Sequence, residues 1–213
     1  MANLDRAYKK DTSRNWECVA QWRHTVYGYL SHDYAVLGQV IETTGARFVL
    51  DFGGGSGRLV PVYLMHNVQA IWLQDVSGRA LDFCRQRFFC QRQIRYFHGN
   101  VKSIPISTTV DLVVASRVLQ HILDDTEFGE TLNYLAPMTR YFYINEAGSE
   151  TWRRDPYIIG RDYIRIFDVL GWRVTAQGEL TCQDGTPQRW MLFKRKEEAA
   201  EQRAYNSFMS NRE

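Results

Sequence analysis

The chain has 213 residues, 45% of them hydrophobic and 23% charged, with a formal net charge of +2. That length suits one domain with a sizeable core, and so small a charge excludes an argument for nucleic acid from charge alone. No stretch reaches the length of a membrane span, and the polar opening "MANLDRAYKKDTSRN" excludes a secretory signal. Cys18, Cys84, Cys90 and Cys182 show neither a CxxC pair nor metal-ligand spacing, so reduced thiols, no metal and a cytoplasmic location are expected.

Taken in chain order, residues 15–44 predict one or two helices, with a break near Gly28–Asp33 where Ser31 or His32-Asp33 begins the second. Then follow a strand at 47–51, a helix at 57–66, a strand at 69–75, a helix at 77–88 and a strand at 94–98. A strand at 110–115 leads to helical turns through 117–137 and a strand at 139–145. A helix at 160–170 precedes two last strands, at about 172–180 and 188–195, and the charged tail reads as helical. Alternating strands and helices, with near-continuous apolar strands, predict a parallel sheet covered on both faces. The last two strands have no room for a helix between them and must form a hairpin. The expected fold is therefore α/β, a Rossmann-like three-layer sandwich whose seven-stranded, mostly parallel sheet ends in an antiparallel C-terminal hairpin strand. Three regions are expected: an N-terminal helical arm or lid (1–44), a domain carrying the sheet (45–196) and a charged tail (197–213).

The stretch "FVLDFGGGSGRLV" places four glycines within positions 53–57, directly after an apolar strand that carries an acid. A strand, a glycine turn and a helix N-terminus together make a nucleotide-type site, because the main chain can approach a ligand closely there. The dinucleotide pattern G-x-G-x-x-G fails, since its third glycine from Gly53 falls on Arg58. The phosphate-loop pattern fails too, since Arg58-Leu59 follow Gly57.

What fits is acid-x-Gly-x-Gly-x-Gly, namely Asp51, Gly53, Gly55 and Gly57. Here, and at three further positions, the chain resembles the class I S-adenosylmethionine-dependent methyltransferases. Asp75 closes "AIWLQD" where the family has an acid for both ribose hydroxyls, a pairing that suits a carboxylate's double acceptor capacity. Gly99-Asn100-Val101 stands where the family has Gly-Asp-Ala, with the Asn100 oxygen taking the adenine amine. "DLVVASRVLQHI", Asp111 to Ile122, is similar to the family's fourth strand and following turn. The resemblance spans roughly 47–195 and implies S-adenosyl-L-methionine as cofactor. It also implies that carbonyls near Gly53 and Ser116, with Asp51, accept from the methionine amino group. Val76 would pack on the adenine, while Trp72 reads as core.

Sulfonium methyl transfer is an in-line displacement, so the protein chiefly positions the nucleophile and excludes water. A base is needed only for an acceptor that arrives protonated. His121, in the turn after the fourth strand, is the leading candidate; the alternative is a ring that packs or caps locally. Glu146 at the tip of the fifth strand is the second catalytic candidate and Asn145 a neighbouring acceptor contact, the alternative being a solvated loop acid.

Selectivity for the acceptor is expected from two segments. The arm carries Trp16, Trp22, Tyr27, Tyr29, His32 and Tyr34; Tyr29 and Tyr34 are the contacts expected of a lid, the alternative being helix core. The second segment, Gly148 to Tyr163, sets Arg153, Arg154 and Arg161 beside Tyr157 and Tyr163. Arg153 and Arg161 would suit an acceptor's carboxylate or phosphate, or else be surface arginines paired with Asp155 and Asp162. A small-molecule acceptor methylated on O or N is the first reading, on the compact chain without a basic tract. A peptide or protein acceptor, for example an N-terminal amine, and a catalytically inactive cofactor-binding partner subunit are the alternatives. Nucleic acid is disfavoured, no membrane is expected, and the oligomeric state is open.

Overall fold

A computed structural model describes residues 32–105, 107, 109–147, 158–181 and 187–196. The expected arm before residue 32, with Tyr29, and the segment carrying Arg153, Arg154 and Tyr157 lie outside the described residues. So do Cys18, Cys182 and the expected helical tail.

In chain order the elements are α1 (His32–Thr44), β1 (Phe48–Phe52), α2 (Val60–Met65), β2 (Ala70–Asp75), α3 (Gly78–Arg87), β3 (Ile94–His98) and β4 (Val110–Ser116). They continue with α4 (Asp125–Leu135), β5 (Thr139–Ala147), α5 (Tyr163–Val169), β6 (Trp172–Thr181) and β7 (Pro187–Arg195), while short 3-10 turns occupy Val101–Ser103, Leu119–His121 and Ala136–Met138. The strands form one seven-stranded sheet in the order β3-β2-β1-β4-β5-β7-β6. β1 to β5 run parallel, and β7 lies antiparallel between β5 and β6. The expected fold class and closing hairpin are both present.

Strand side chains alternate between two cores, and this alternation makes the sandwich three layers deep. Val49, Leu112, Val114 and Tyr143 face the side covered by Leu37 and Ile41 of α1, Val62 and Tyr63 of α2, and Leu81 of α3. Leu50, Val113, Phe142 and Ile144 face the side covered by Phe128 and Leu132 of α4 and Phe167 of α5. Each fully buried aliphatic or aromatic side chain contributes about 1.5–3 kcal/mol relative to exposure. Asp111 works at the amino ends of the strands, accepting from Arg47 N and Phe48 N at 2.8 Å each, and so fastens β1 to β4 away from the glycine turn.

Two helices are shorter than expected. The helix predicted over 57–66 starts at Val60, because Gly57 has φ 77° and Pro61 is tolerated only in a first turn, where its missing N–H has no partner to lose. The helix predicted over 160–170 starts at Tyr163, where the Asp162 side chain accepts from Arg165 N and caps it. Among the described residues no helix is long and apolar enough to cross a membrane.

Candidate active site

Strand order reverses between β1 and β4, and in such sheets ligands lie in the crevice outside the carboxyl ends of the strands at that point. The glycine turn after β1 lies at this point. Gly53 has φ 68°, and a Cβ there would stand 2.3 Å from Val118 Cγ2, so both conformation and space demand glycine. At Gly55 the nearest atom to an added Cβ would be Asp75 Oδ2 at 3.8 Å, which leaves the main chain open beside that carboxylate. Gln74, buried at the end of β2, braces the turn: its carbonyl accepts from Gly54 N at 3.0 Å and its Oε1 from Gly53 N at 3.3 Å. Its Nε2 donates to the Gly99 carbonyl, tying the loop after β1 to the loop after β3.

Asp75 is held from two sides, Oδ2 accepting from Gly55 N at 2.8 Å and Oδ1 from Ser77 N at 2.7 Å. A carboxylate has about four acceptor positions, so each oxygen keeps capacity for a ligand hydroxyl. Burial raises its pKa, opposed by those two backbone N–H groups. Next to it Val76 is 59% exposed, an apolar side chain turned outward where the adenine is expected. Asn100 Oδ1 accepts from Lys102 N at 3.0 Å and caps the 101–103 turn, so the oxygen expected to meet an adenine amine already has one partner. The Val101 side chain is buried in the core. Trp72 packs against Phe97 with ring centroids 5.1 Å apart, in keeping with core.

The other end of the crevice is built differently. Asp51 is buried, and its Oδ2 has no hydrogen-bond partner. Burial pushes its pKa to about 7, with the Arg58 guanidinium opposing. Arg58 Nη1 donates to Asp33 Oδ2 at 2.7 Å and Nη2 to Ser116 Oγ at 3.0 Å, while the Tyr34 hydroxyl donates to the Arg58 carbonyl. The first turn of α1 is thereby clasped to the glycine turn and to the end of β4. Opposite Ser116 in register stands Asn145, 0% exposed, with neither amide atom hydrogen-bonded. Between them and the next turn Arg117 has φ 60°, a left-handed conformation that a non-glycine residue holds only when its surroundings impose it.

The turn carrying His121 is strapped at four points. Leu119 N donates to Glu146 Oε1 at 2.9 Å, and Ala147 N donates to Gln120 Oε1 at 2.7 Å. Ile159 N donates to the Gln120 carbonyl at 2.9 Å, and the Arg161 guanidinium donates to the carbonyls of Leu119 and Ile122. Two expectations change here. Glu146 is no solvated loop acid: it is buried under this turn, burial raises its pKa to about 8, and Oε2 has no partner. Arg161 is no surface arginine paired with Asp162: its side chain is 6% exposed, pairs with Asp125 at 2.9 Å and lies 4.0 Å over the Phe128 ring. Its guanidinium is engaged with the protein, which argues against a role on an acceptor anion. His121 is half-buried, with Nε2 3.2 Å from Gln120 Nε2.

The structure thus brings Asp51, the glycines, Asp75, Ser116 and Asn145 to the carboxyl ends of neighbouring strands. The sequence reading missed Asp33, Arg58, Gln74 and Gln120 as functional supports. A glutamine within an apolar strand, and the lone cation directly after the glycines, were the available signals for Gln74 and Arg58.

Residues 49–140 match a family model described as methyltransferase domain. No curated protein sequence matches the chain. Among solved structures, magnesium protoporphyrin IX methyltransferase (ChlM) from Synechocystis PCC 6803, with bound S-adenosylhomocysteine, is 14% identical with a TM-score of 0.70, covering 92% of this chain and 100% of that one. The N-methyltransferase NodS from Bradyrhizobium japonicum WM9 is 16% identical with a TM-score of 0.68, covering 78% and 95%. An S-adenosylmethionine-dependent methyltransferase from Clostridium acetobutylicum ATCC 824 is 11% identical with a TM-score of 0.61, covering 78% and 90%. Identities this low speak for the fold, and the matched domain supplies the activity class. Through that matched domain the chain is an S-adenosylmethionine-dependent methyltransferase.

Proposed function

We propose that this enzyme methylates an O or N atom of a small-molecule acceptor, with the cofactor lying across the crevice from Asp75 to Ser116. The cofactor fits the groups present. Asp75 keeps acceptor capacity for a ribose diol, Val76 offers an exposed apolar side chain for the adenine, and Asn100 and Val101 border the same end. The unpartnered Oδ2 of Asp51, beside the open turn of Gly53, Gly55 and Gly57, suits a cationic amino group. S-adenosylmethionine supplies an electrophilic sulfonium methyl. The protein's own contribution is to orient the acceptor, exclude water and satisfy its polar groups.

The observation that carries the acceptor reading is Asn145, fully buried with both amide atoms unpartnered. Such groups cost about 1–3 kcal/mol each when left unmade, and a compact polar acceptor would complete them. His121 borders this end. Glu146, engaged with Leu119 N, acts by holding the turn that carries His121. The first turn of α1 serves as the part of the expected arm that meets the site, a role supported by the Asp33–Arg58 and Tyr34–Arg58 contacts. Free Cys84 and Cys90 fit a reducing cytoplasm.

The test supplies a labelled methyl donor and panels of small molecules, peptides and RNA. Transfer to small polar acceptors that is lost in Asn145→Leu supports the reading. Label found solely on peptide or RNA would overturn the acceptor class, and donor binding without transfer to any panel member would leave a non-catalytic partner subunit.

A further inference from the structure

We propose that Gln120 is a positioning residue that holds the neutral His121 ring with its proton on Nδ1, so that Nε2 is an occupied acceptor and not a free base. Gln120 is 4% exposed and wedged between the end of β5 and the His121 ring. Its side-chain orientation follows from the backbone. Ala147 N can only donate, so the Gln120 atom 2.7 Å away must be the amide oxygen. The other end of the amide is then an NH2 group, which also can only donate. It lies 3.2 Å from His121 Nε2, so that nitrogen must accept. A neutral imidazole with Nε2 accepting carries its proton on Nδ1. An imidazolium in the same place would set N–H against N–H.

The relay is rigid at both ends. Ala147 is fixed by its place in the sheet opposite Gln188, and the turn is fixed by Glu146 on Leu119 N and by Arg161 on the carbonyls of Leu119 and Ile122. The consequence for chemistry rests on the reading that His121 borders the transfer site. In a ring held this way the basic nitrogen is taken. It therefore suits an acceptor atom that needs no proton removed: a carboxylate, a phenolate or an unprotonated amine.

The experiment is two-bond proton–nitrogen correlation on the full chain with nitrogen-labelled histidine, without cofactor or acceptor, with the His121 signals assigned by their loss in His121→Gln. The wild-type ring should show pyrrole-type Nδ1 and pyridine-type Nε2, favoured by about tenfold, the size of one net hydrogen bond. Gln120→Glu keeps an acceptor for Ala147 N and adds one for the ring, so it should move the proton to Nε2. A wild-type ring protonated on Nε2, or a Gln120→Glu ring that stays protonated on Nδ1, overturns the proposal. His66 and His98 in the same spectrum report whether each variant is folded. If Gln120→Glu does not fold, Gln120→Asn replaces it, and an unchanged preference for Nδ1 there would equally overturn the proposal. If instead the acceptor reading fails, the labelled-methyl assay shows it while the tautomer stands.

Discussion

At the β2 end of the crevice three polar side chains have partners inside the protein: Asp75 binds Gly55 N and Ser77 N, Gln74 bridges the loops after β1 and β3, and Asn100 caps its own turn. At the β4–β5 end, Asp51 Oδ2, both amide atoms of Asn145 and Glu146 Oε2 are buried with none. The first end is a finished scaffold whose shape exists before any ligand arrives. The second carries an uncompensated cost of about 1–3 kcal/mol per group, which a ligand or ordered water can recover. Preformed groups fix the shape of the site, and unsatisfied ones mark where a bound ligand gains most.

The largest effect should come from the scaffold itself. Gly53→Ala puts a methyl 2.3 Å from Val118 Cγ2 at φ 68°, and should cost roughly 3–4 kcal/mol of stability while abolishing cofactor binding. Denaturant unfolding and calorimetry with S-adenosylhomocysteine measure both; a variant that unfolds like wild type would show that the turn is adaptable.

The second prediction concerns the buried acids. Glu146 is raised from 4.5 to about 8 and Asp51 from 3.8 to about 7, both by burial. The fold therefore favours their neutral forms, so this stabilisation is full below about pH 4 and is lost as pH rises through 7 and then 8. Each acid accounts for several kcal/mol over that window. Glu146→Gln, which keeps an oxygen for Leu119 N, should flatten the decline in melting temperature across the upper part of it. An unchanged slope would mean that Glu146 is ionised in the fold.

Asp75→Ala should weaken S-adenosylhomocysteine by roughly 1.5–3 kcal/mol in calorimetry. An equal loss from Asn145→Ala would erase the distinction between the two ends.

The smallest effect sharpens the comparison most. Asn145→Leu removes two unpartnered groups from a buried site and should raise stability by about 1 kcal/mol, leave S-adenosylhomocysteine affinity near wild type and depress methyl transfer. A loss of stability instead would mean that water completes Asn145 in the free enzyme.

Local chemistry was enough to determine the order of elements and much of the site. β3 runs over Ile94–His98 as its aromatic and β-branched run predicts, and the acid–glycine pattern marks the turn in which Gly53, Gly55 and Gly57 hold φ values of 56° to 77°. Such features are legible because backbone sterics and strand alternation act between near neighbours. The clasp of Asp33, Arg58 and Ser116 was not legible, since its members are 25 and 58 residues apart and nothing local distinguishes a paired arginine from a solvated one. Nor was the burial of Glu146 and Arg161, which depends on the 119–122 turn folding back over the end of β5. Periodicity and glycines determined which strands form and where the chain turns. Only the tertiary structure decided which polar groups find partners, because a hydrogen bond or a desolvated carboxylate depends on what distant segments place beside it.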